Sequence, residues 1–565
     1  MAEAPITRTC SLFALALALL AASASASPAV AAPSARPAQD DLLRTYVQAR
    51  GAEAVGDEGR AATLFAGLAA QDPTDPTIGQ RALEGAVASG NFPLALHLAR
   101  AMPAKDLPLA ERLLLVADDL RANRLTQALA AIETPGRSPD LAFMGPLLRA
   151  WDQAQRRDPA AIATIGQISV TGPLGAFVPE QRALILLALR RGDEAEPFAR
   201  RAIASAGGRE TRVRLEMAEA FRDAGDTRRA LAMLDAPGRG LTVARTRINA
   251  SQSLGQRIDS PAAAFAEILL GLAISLNREE EQDLPIALTQ VARLAAPGNS
   301  ESAIVLGLLL DQARRSNDAL AAFATVPGDD FLGGQALDAR ARALLKASRN
   351  AEALSLAQAA ASQRGADASD FTRLGDVFDA LSRHGDAANA YLRALALTPS
   401  SGRGAADAWS GYLLAGSALE QAGRWPDARS AIEQGLKLAP ENPLLLNFLG
   451  YAKLTHGEDV DAAEAMIRKA SALRPSDASI TDSLGWALYK RGKLPEAIVT
   501  LQKAAVGDPA QSEIGEHLGD ALYTAGRRFE ARFAWRAALV TAEAKQVSRI
   551  TTKIDQGLGP TTAAP

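Results

Sequence analysis

The chain has one cysteine in 565 residues, Cys10, and four histidines. A disulfide needs two thiols, so no internal bridge can form, and a thiolate zinc site is excluded for the same reason. Phe, Trp and Tyr together make up only 5% of the residues. β-Rich folds draw on aromatic and β-branched side chains, so this shortage argues against a β-sandwich or barrel. Excess charge of one sign is also missing: 61 basic residues stand against 64 acidic ones, a net charge of −3. No bulk field draws such a chain to nucleic acid or anionic lipid. Long apolar runs are lacking too. Leu12–Ala22 and Phe265–Leu276 are the best candidates, and both fall short of the roughly 20 residues that span a bilayer.

What the chain has in abundance is alanine. Alanine favours helix and permits close helix contact. An all-α fold follows as the expectation. The first 26 residues read as a secretory signal: Arg8 precedes the apolar run, and Ala24 and Ala26 fit the small-residue cleavage rule. Cleavage after Ala26 removes Cys10 and sends the mature chain to the periplasm. Residues 27–41, rich in Pro and Ala, read as a flexible leader.

An internal repeat sets the architecture. Pro440, Pro475 and Pro509 are spaced 35 and 34 apart, and so are Gly450, Gly485 and Gly519, and the turn glycines Gly457, Gly492 and Gly526. Each position has a physical reason. Gly485 and Ala497 are small where two antiparallel helices cross. Gly492 permits the conformation that ends the first helix. Leu484, Leu488, Leu501 and Ala504 form an apolar stripe, and Pro509 stops the second helix. The units fall near 371–399, 409–442, 443–477, 478–511 and 512–545. Weaker copies fill 42–370, so that one array runs from about 42 to 545, interrupted near 135–146, 171–179, 236–260 and 400–407. Residues 546–565 read as a capping helix over the last apolar face, then a frayed tail.

These motifs are the tetratricopeptide pattern: a period of ~34 with Leu-Gly early, Gly in the middle and Pro at the end. The segments LNFLGYAKLTHG (446–457), ITDSLGWALYKRG (480–492), EIGEHLGDALYTAGR (513–527) and EARFAWRAAL (530–539) resemble the exported multi-repeat tetratricopeptide proteins of alphaproteobacteria. The resemblance implies a right-handed α-solenoid outside the cytoplasm with a protein-binding role. It supplies no activity.

No catalytic constellation stands out. His97, His384, His456 and His517 lie in different repeats and read as surface or capping residues. H-E-x-x-H, G-x-S-x-G and G-x-x-x-x-G-K-[ST] are absent. The acidic run 277–283 lacks the spacing of a calcium loop. The expectation is therefore a non-enzyme with no metal and no cofactor.

The candidate site is the concave groove lined by the first helix of each unit. Counting from the unit starts places Ser417 and Glu420, then Asn447, Tyr451 and Thr455, on that face. Asp482, Trp486, Tyr489 and Lys490 follow, then Glu513, Glu516, Asp520 and Tyr523. Acids and aromatics dominate, so capture of a C-terminal carboxylate does not fit. The expected partner is a basic or neutral protein or peptide, stacked on Trp486 and Tyr489. The leading expectation is a periplasmic interaction scaffold of the cell envelope, with outer-membrane association a possible extension. The alternatives are an accessory superhelix of a peptidoglycan-active enzyme resembling lytic transglycosylases, and a cytosolic adaptor.

Overall fold

A computed structural model describes residues 36–565, apart from 73–74, 134–140, 170, 173, 278–280, 399–406, 560–561, 563 and 565. The segment expected to be a signal sequence, its expected cleavage site, Cys10 and most of the expected leader lie outside the described residues. Helices dominate, and among the described residues there is no β-strand. The first helix, Arg36–Ala54, begins inside the segment expected to be a flexible leader. Pro37 sits in its first turn, where the missing N–H costs nothing.

The chain divides into two compact units, 1–85 and 86–565. In the first unit, Glu58–Gln71 packs on Arg36–Ala54. Phe65 is buried there with Tyr46 edge-on, 6.1 Å between ring centroids. Arg81 binds Glu53 at 2.7 Å.

In the second unit the C-terminal helices pair regularly. Ala368–Ala380 packs on His384–Leu397, Trp409–Gln421 on Trp425–Leu438, and Pro443–Thr455 on Val460–Leu473. Ala478–Lys490 packs on Leu494–Gly507, and Ser512–Thr524 on Arg528–Thr541. Ala544–Gln556 closes the series against Arg528–Thr541. Close crossing explains the small residues. A Cβ on Gly450 would lie 2.7 Å from Ile467 and 2.9 Å from the Ala463 carbonyl oxygen. A Cβ on Gly485 would lie 2.6 Å from Leu501.

The backbone shows repetition where the sequence hides it. A left-handed residue ends the first helix of successive pairs: Gly56, Gly90, Asn123, Arg157, Arg190 and Gly225, spaced 33–35 residues apart. Arg314, Ser348 and Ser382 continue at intervals of 34, and Gly423, Gly457, Gly492 and Gly526 at 34 or 35. Each closes its turn in the same way. At Arg314, its N–H donates to the Asp311 carbonyl and the Arg315 N–H donates to Leu310, at 3.1 and 2.8 Å. This is the hydrogen-bond pattern of a Schellman cap.

Regularity fails between 235 and 299, where a helical hairpin folds back. Pro261–Leu276 packs on Leu109–Arg121 and Gly145–Gln155, and Asp283–Ala295 packs on Leu109–Arg121. The Gln290 amide reaches the Ala88 carbonyl at 3.1 Å. The most apolar of the described helices, Pro261–Leu276, is therefore largely buried among other helices, and its hydropathy needs no membrane. No described helix is long and apolar enough to cross one.

Candidate functional site

Four of the predicted groove residues meet in one hollow of about 320 Å³. Asn447 and Tyr451 come from Pro443–Thr455, Asp482 from Ala478–Lys490 and Glu513 from Ser512–Thr524. Leu413, Leu444 and Phe448 supply the apolar wall. With Leu413 from Trp409–Gln421, four successive first helices thus converge, because each presents the same face to its neighbour one period on. The Tyr451 hydroxyl donates to Glu513 at 2.9 Å, bridging 62 residues. Burial and the adjacent Glu513 carboxylate hold that phenol protonated. Two oxygens have no hydrogen-bond partner, Asn447 Oδ1 and Asp482 Oδ1. Both are acceptors left without a donor.

Trp486, Glu516 and Asp520 are not groove contacts; all three are completely buried. The count from the unit start gave the right helix face but ignored the helix that follows and covers it. Trp486 stacks on His517 of the next unit, 4.1 Å between centroids, and on Tyr489 at 4.7 Å. The expectation of a partner stacked on Trp486 is thereby corrected: the indole packs between repeats. His517 is also buried, rather than on the surface or capping a helix. It pairs with Asp482 at 2.8 Å. Burial lowers its basicity, but the Asp482 carboxylate outweighs that and raises it overall.

Glu516 and Asp520 are held by the closing helix. Lys553 Nζ donates to Glu516 Oε1 at 2.7 Å and to both Asp520 oxygens at 2.8 Å. Arg549 grips Glu516 in bidentate fashion at 2.7 and 2.8 Å. Trp535 Nε1 and the Ala564 N–H complete Asp520, each at 2.9 Å. Burial pushes the Glu516 carboxyl up, but Arg549 and Lys553 together hold it below its usual value.

The remaining predicted residues do not join the hollow. Ser417 and Glu420 are half-buried, with Glu420 3.5 Å from His456. Thr455 is exposed and bonds its own helix at Ala452. Tyr489 bonds Thr524 at 3.1 Å, and exposed Lys490 lies 4.7 Å over the Trp486 ring. Tyr523 tilts against Trp535 at 5.5 Å.

The family model for the tetratricopeptide repeat matches residues 413–478 and 457–514. The chain contains tetratricopeptide repeats. A TPR repeat-containing protein of Pseudomonas aeruginosa is 41% identical over 58 residues, which is 10% of either chain. The chain thus spans about a tenth of that curated relative. Among solved structures, the APC/C hetero-tetramer Cut9–Hcn1 is 14% identical, with 92% of this chain and 97% of that one covered and a TM-score of 0.37. YrrB, described as a TPR protein with an unusual peptide-binding site, is 18% identical over 35% of this chain and 97% of its own, with a TM-score of 0.26. Tetratricopeptide repeats are generally non-catalytic and serve protein–protein interaction.

Upstream of the matched repeats lies a buried charge cluster that the sequence reading missed. Arg209 donates to both oxygens of Glu301 at 3.0 Å and also pairs with Glu267 and, at 3.5 Å, with Glu180. Arg212 donates to Glu267 at 2.7 Å and pairs with Glu216 and Gln256. Asn299 adds a bond to Glu267 at 2.8 Å. Burial pushes the Glu180 carboxyl up to about 7 and Glu216 well above its usual range. Glu267 lies below its usual value because the two guanidiniums outweigh its burial. Carboxylate oxygens of Glu180, Glu216 and Glu267 lie within 4.8 Å of one another. The two guanidiniums already stand where a cation would sit, so the cluster fits an ion-pair network better than a metal centre. The one legible signal was Glu267, a lone charge in the apolar helix 261–276.

Proposed function

We propose that this protein is a non-catalytic interaction scaffold of the bacterial cell envelope. It is exported to the periplasm after cleavage behind Ala26 and binds a partner protein along the first-helix face of its repeats. The observation that carries this reading is the hollow of Asn447, Tyr451, Asp482 and Glu513. It joins four repeats, has an apolar wall and keeps two acceptor oxygens without donors. A basic or neutral segment of the partner supplies those donors; a carboxylate is repelled by Asp482 and Glu513.

The test is a comparison of partner recovery from envelope fractions by the native chain and by Asn447→Lys. The half-buried site admits the longer side chain toward the hollow. Reduced recovery with unchanged helicity supports the reading, and equal recovery overturns it. Sequencing of the mature N-terminus tests export, with Ser27 the expected first residue and an intact Met1 the contrary result.

A further inference from the structure

Four second helices in a row have 14 residues each: Trp425–Leu438, Val460–Leu473, Leu494–Gly507 and Arg528–Thr541. Their second, sixth, ninth and thirteenth positions share one face, and all of these are exposed. The character of that face changes along the chain. It carries charge in the first two helices, with Glu433 and Lys437, then Asp461 and Arg468. It turns apolar in the third, with Val499 and Val506, and in the fourth it reads Phe529, Phe533, Arg536 and Val540. Phe529 is 75% exposed, Phe533 54% and Val540 84%. Single exposed apolar residues need no explanation, but a contiguous patch of them marks a surface that meets something.

The charges on these helices change as well. Upstream they are spent on neighbours: Glu433 pairs with Arg429 at 3.8 Å, Asp461 with Arg491, and Arg468 with Glu464 at 2.7 Å. In Arg528–Thr541 three guanidiniums pair with no carboxylate among the described residues. Arg528 lies 5.4 Å over the Tyr523 ring, Arg532 donates to the Ile554 carbonyl at 2.9 Å, and Arg536 lies 5.9 Å over Phe533. The one acid of this helix, Glu530, is taken by Arg527. The chain as a whole is close to neutral, so this positive charge is local. Unneutralised cations beside an apolar stripe call for a receptor that is anionic at its surface and apolar beneath. Phe529 and Phe533 meet edge-on, 4.9 Å between centroids, and protrude together. A bilayer yields to protruding rings, whereas a folded acidic protein needs a preformed pocket for each. Cations and aromatics on one exposed helix face are the composition of an interfacial helix.

We propose that this face docks on a lipid bilayer with anionic headgroups, with Arg528–Thr541 lying in the plane of the interface. Phe529, Phe533 and Val540 enter the boundary between headgroups and acyl chains. The arginines bind phosphates, and the Arg536 stem lies along the apolar surface while its head stays at the headgroups. Ile498 and Leu501 belong to one core cluster with Ala531 and Trp535, so Val499 and Val506 of the neighbouring helix widen the contact. The inference goes beyond the scaffold reading, and a contact through second helices leaves the first-helix face to a partner. The contact is with lipid and gives no discrete protein adduct.

The test is flotation of the chain purified from cells with vesicles of phosphatidylcholine alone, or of phosphatidylcholine and phosphatidylglycerol in equal parts. A gain in flotation with the anionic vesicles is expected, and it should fall as salt rises. Arg536→Gln should weaken that binding about fivefold, and Phe529→Ser combined with Phe533→Ser by about tenfold or more. These positions are exposed, so helicity by circular dichroism stays native. Val55→Ser, at an 80% exposed position of the first unit, should leave binding unchanged. Insertion is read with an NBD label on Val540→Cys in a Cys10→Ser background. Its fluorescence should rise on the anionic vesicles, while the same label on Val55→Cys stays dark. No gain over phosphatidylcholine, or native binding by the double variant, overturns the proposal. So does a label at 540 that stays dark, which marks adsorption by charge alone. Binding to polyglutamate without binding to vesicles marks a face for an acidic protein and overturns it too. A dimer lost in the double variant, again without vesicle binding, marks a contact between copies and does the same.

Discussion

Replacing Lys553 with methionine isolates what the closing helix contributes. Lys553, Glu516 and Asp520 are completely buried. In the native chain two carboxylates face two cations, Lys553 and Arg549. Lys553→Met keeps much of the side-chain volume and removes one charge. Deleting one partner of a buried pair costs about 3–5 kcal/mol, because the charge left behind is uncompensated. Here Glu516 keeps Arg549, and Asp520 keeps two neutral donors, Trp535 Nε1 and the Ala564 N–H. The loss therefore belongs near the lower end, about 3 kcal/mol. Unfolding of a repeat array need not be two-state, so a global midpoint is the wrong readout. Hydrogen exchange of Ala544–Gln556 and Ser512–Thr524 reads the loss locally. At about 1.4 kcal/mol per tenfold, those amides should exchange about 100-fold faster. Adding Asp520→Asn rebalances the charge and should recover most of the protection. Exchange within about threefold of native in Lys553→Met would refute the reasoning, since no buried charge of this kind is so cheap to strand.

Other predictions follow from the same geometry. Gly450→Ala forces a methyl against the Ala463 carbonyl and Ile467, and should destabilise its repeat by about 1–3 kcal/mol, read as faster local hydrogen exchange of Pro443–Thr455 and Val460–Leu473. Arg314→Gly relieves a left-handed backbone (φ 60°). It should stabilise by at most about 0.5 kcal/mol, the relief of about 1 kcal/mol less the glycine entropy cost, read as slower local exchange. His517 gives a pH signature. Its basicity is raised above the ordinary value of 6.5 by Asp482, with Glu513 and Asp520 adding to the effect against the pull of burial. A raised imidazole contributes stability that is complete below pH 6.5 and is lost as pH rises through the folded value. Hydrogen-exchange protection of the Ser512–Thr524 amides, followed from acid to alkaline pH, should show that decline in the native chain and not in Asp482→Asn.

The C-terminal pairs were readable because glycine, small crossing residues and proline recur there at one spacing. Upstream the same turns exist, but Asn123, Arg157, Arg190, Arg314, Ser348 and Ser382 take the left-handed position. A cost of about 1 kcal/mol is tolerable at a turn, so the glycine signal fades while the backbone pattern persists. In the unit 371–399 the turn residue is Ser382, three positions before Gly385, so the glycine there does not mark the turn. The site was legible in part. Counting along one helix finds the face of Asn447, Tyr451, Asp482 and Glu513. It cannot show that His517 covers Trp486, or that Lys553 covers Glu516 and Asp520, because covering residues lie about one period away. The Arg209 cluster joins residues up to 92 positions apart, and no local pattern encodes that convergence.

The central claim is that the first-helix face meets a partner protein. Its most direct test is photo-crosslinking in living cells with benzoylphenylalanine at Ser479, an exposed residue lining the hollow, and at Val506, an exposed residue outside it. A discrete adduct from Ser479 and none from Val506 is the predicted result. No adduct from Ser479, or the same adducts from both positions, would contradict the account.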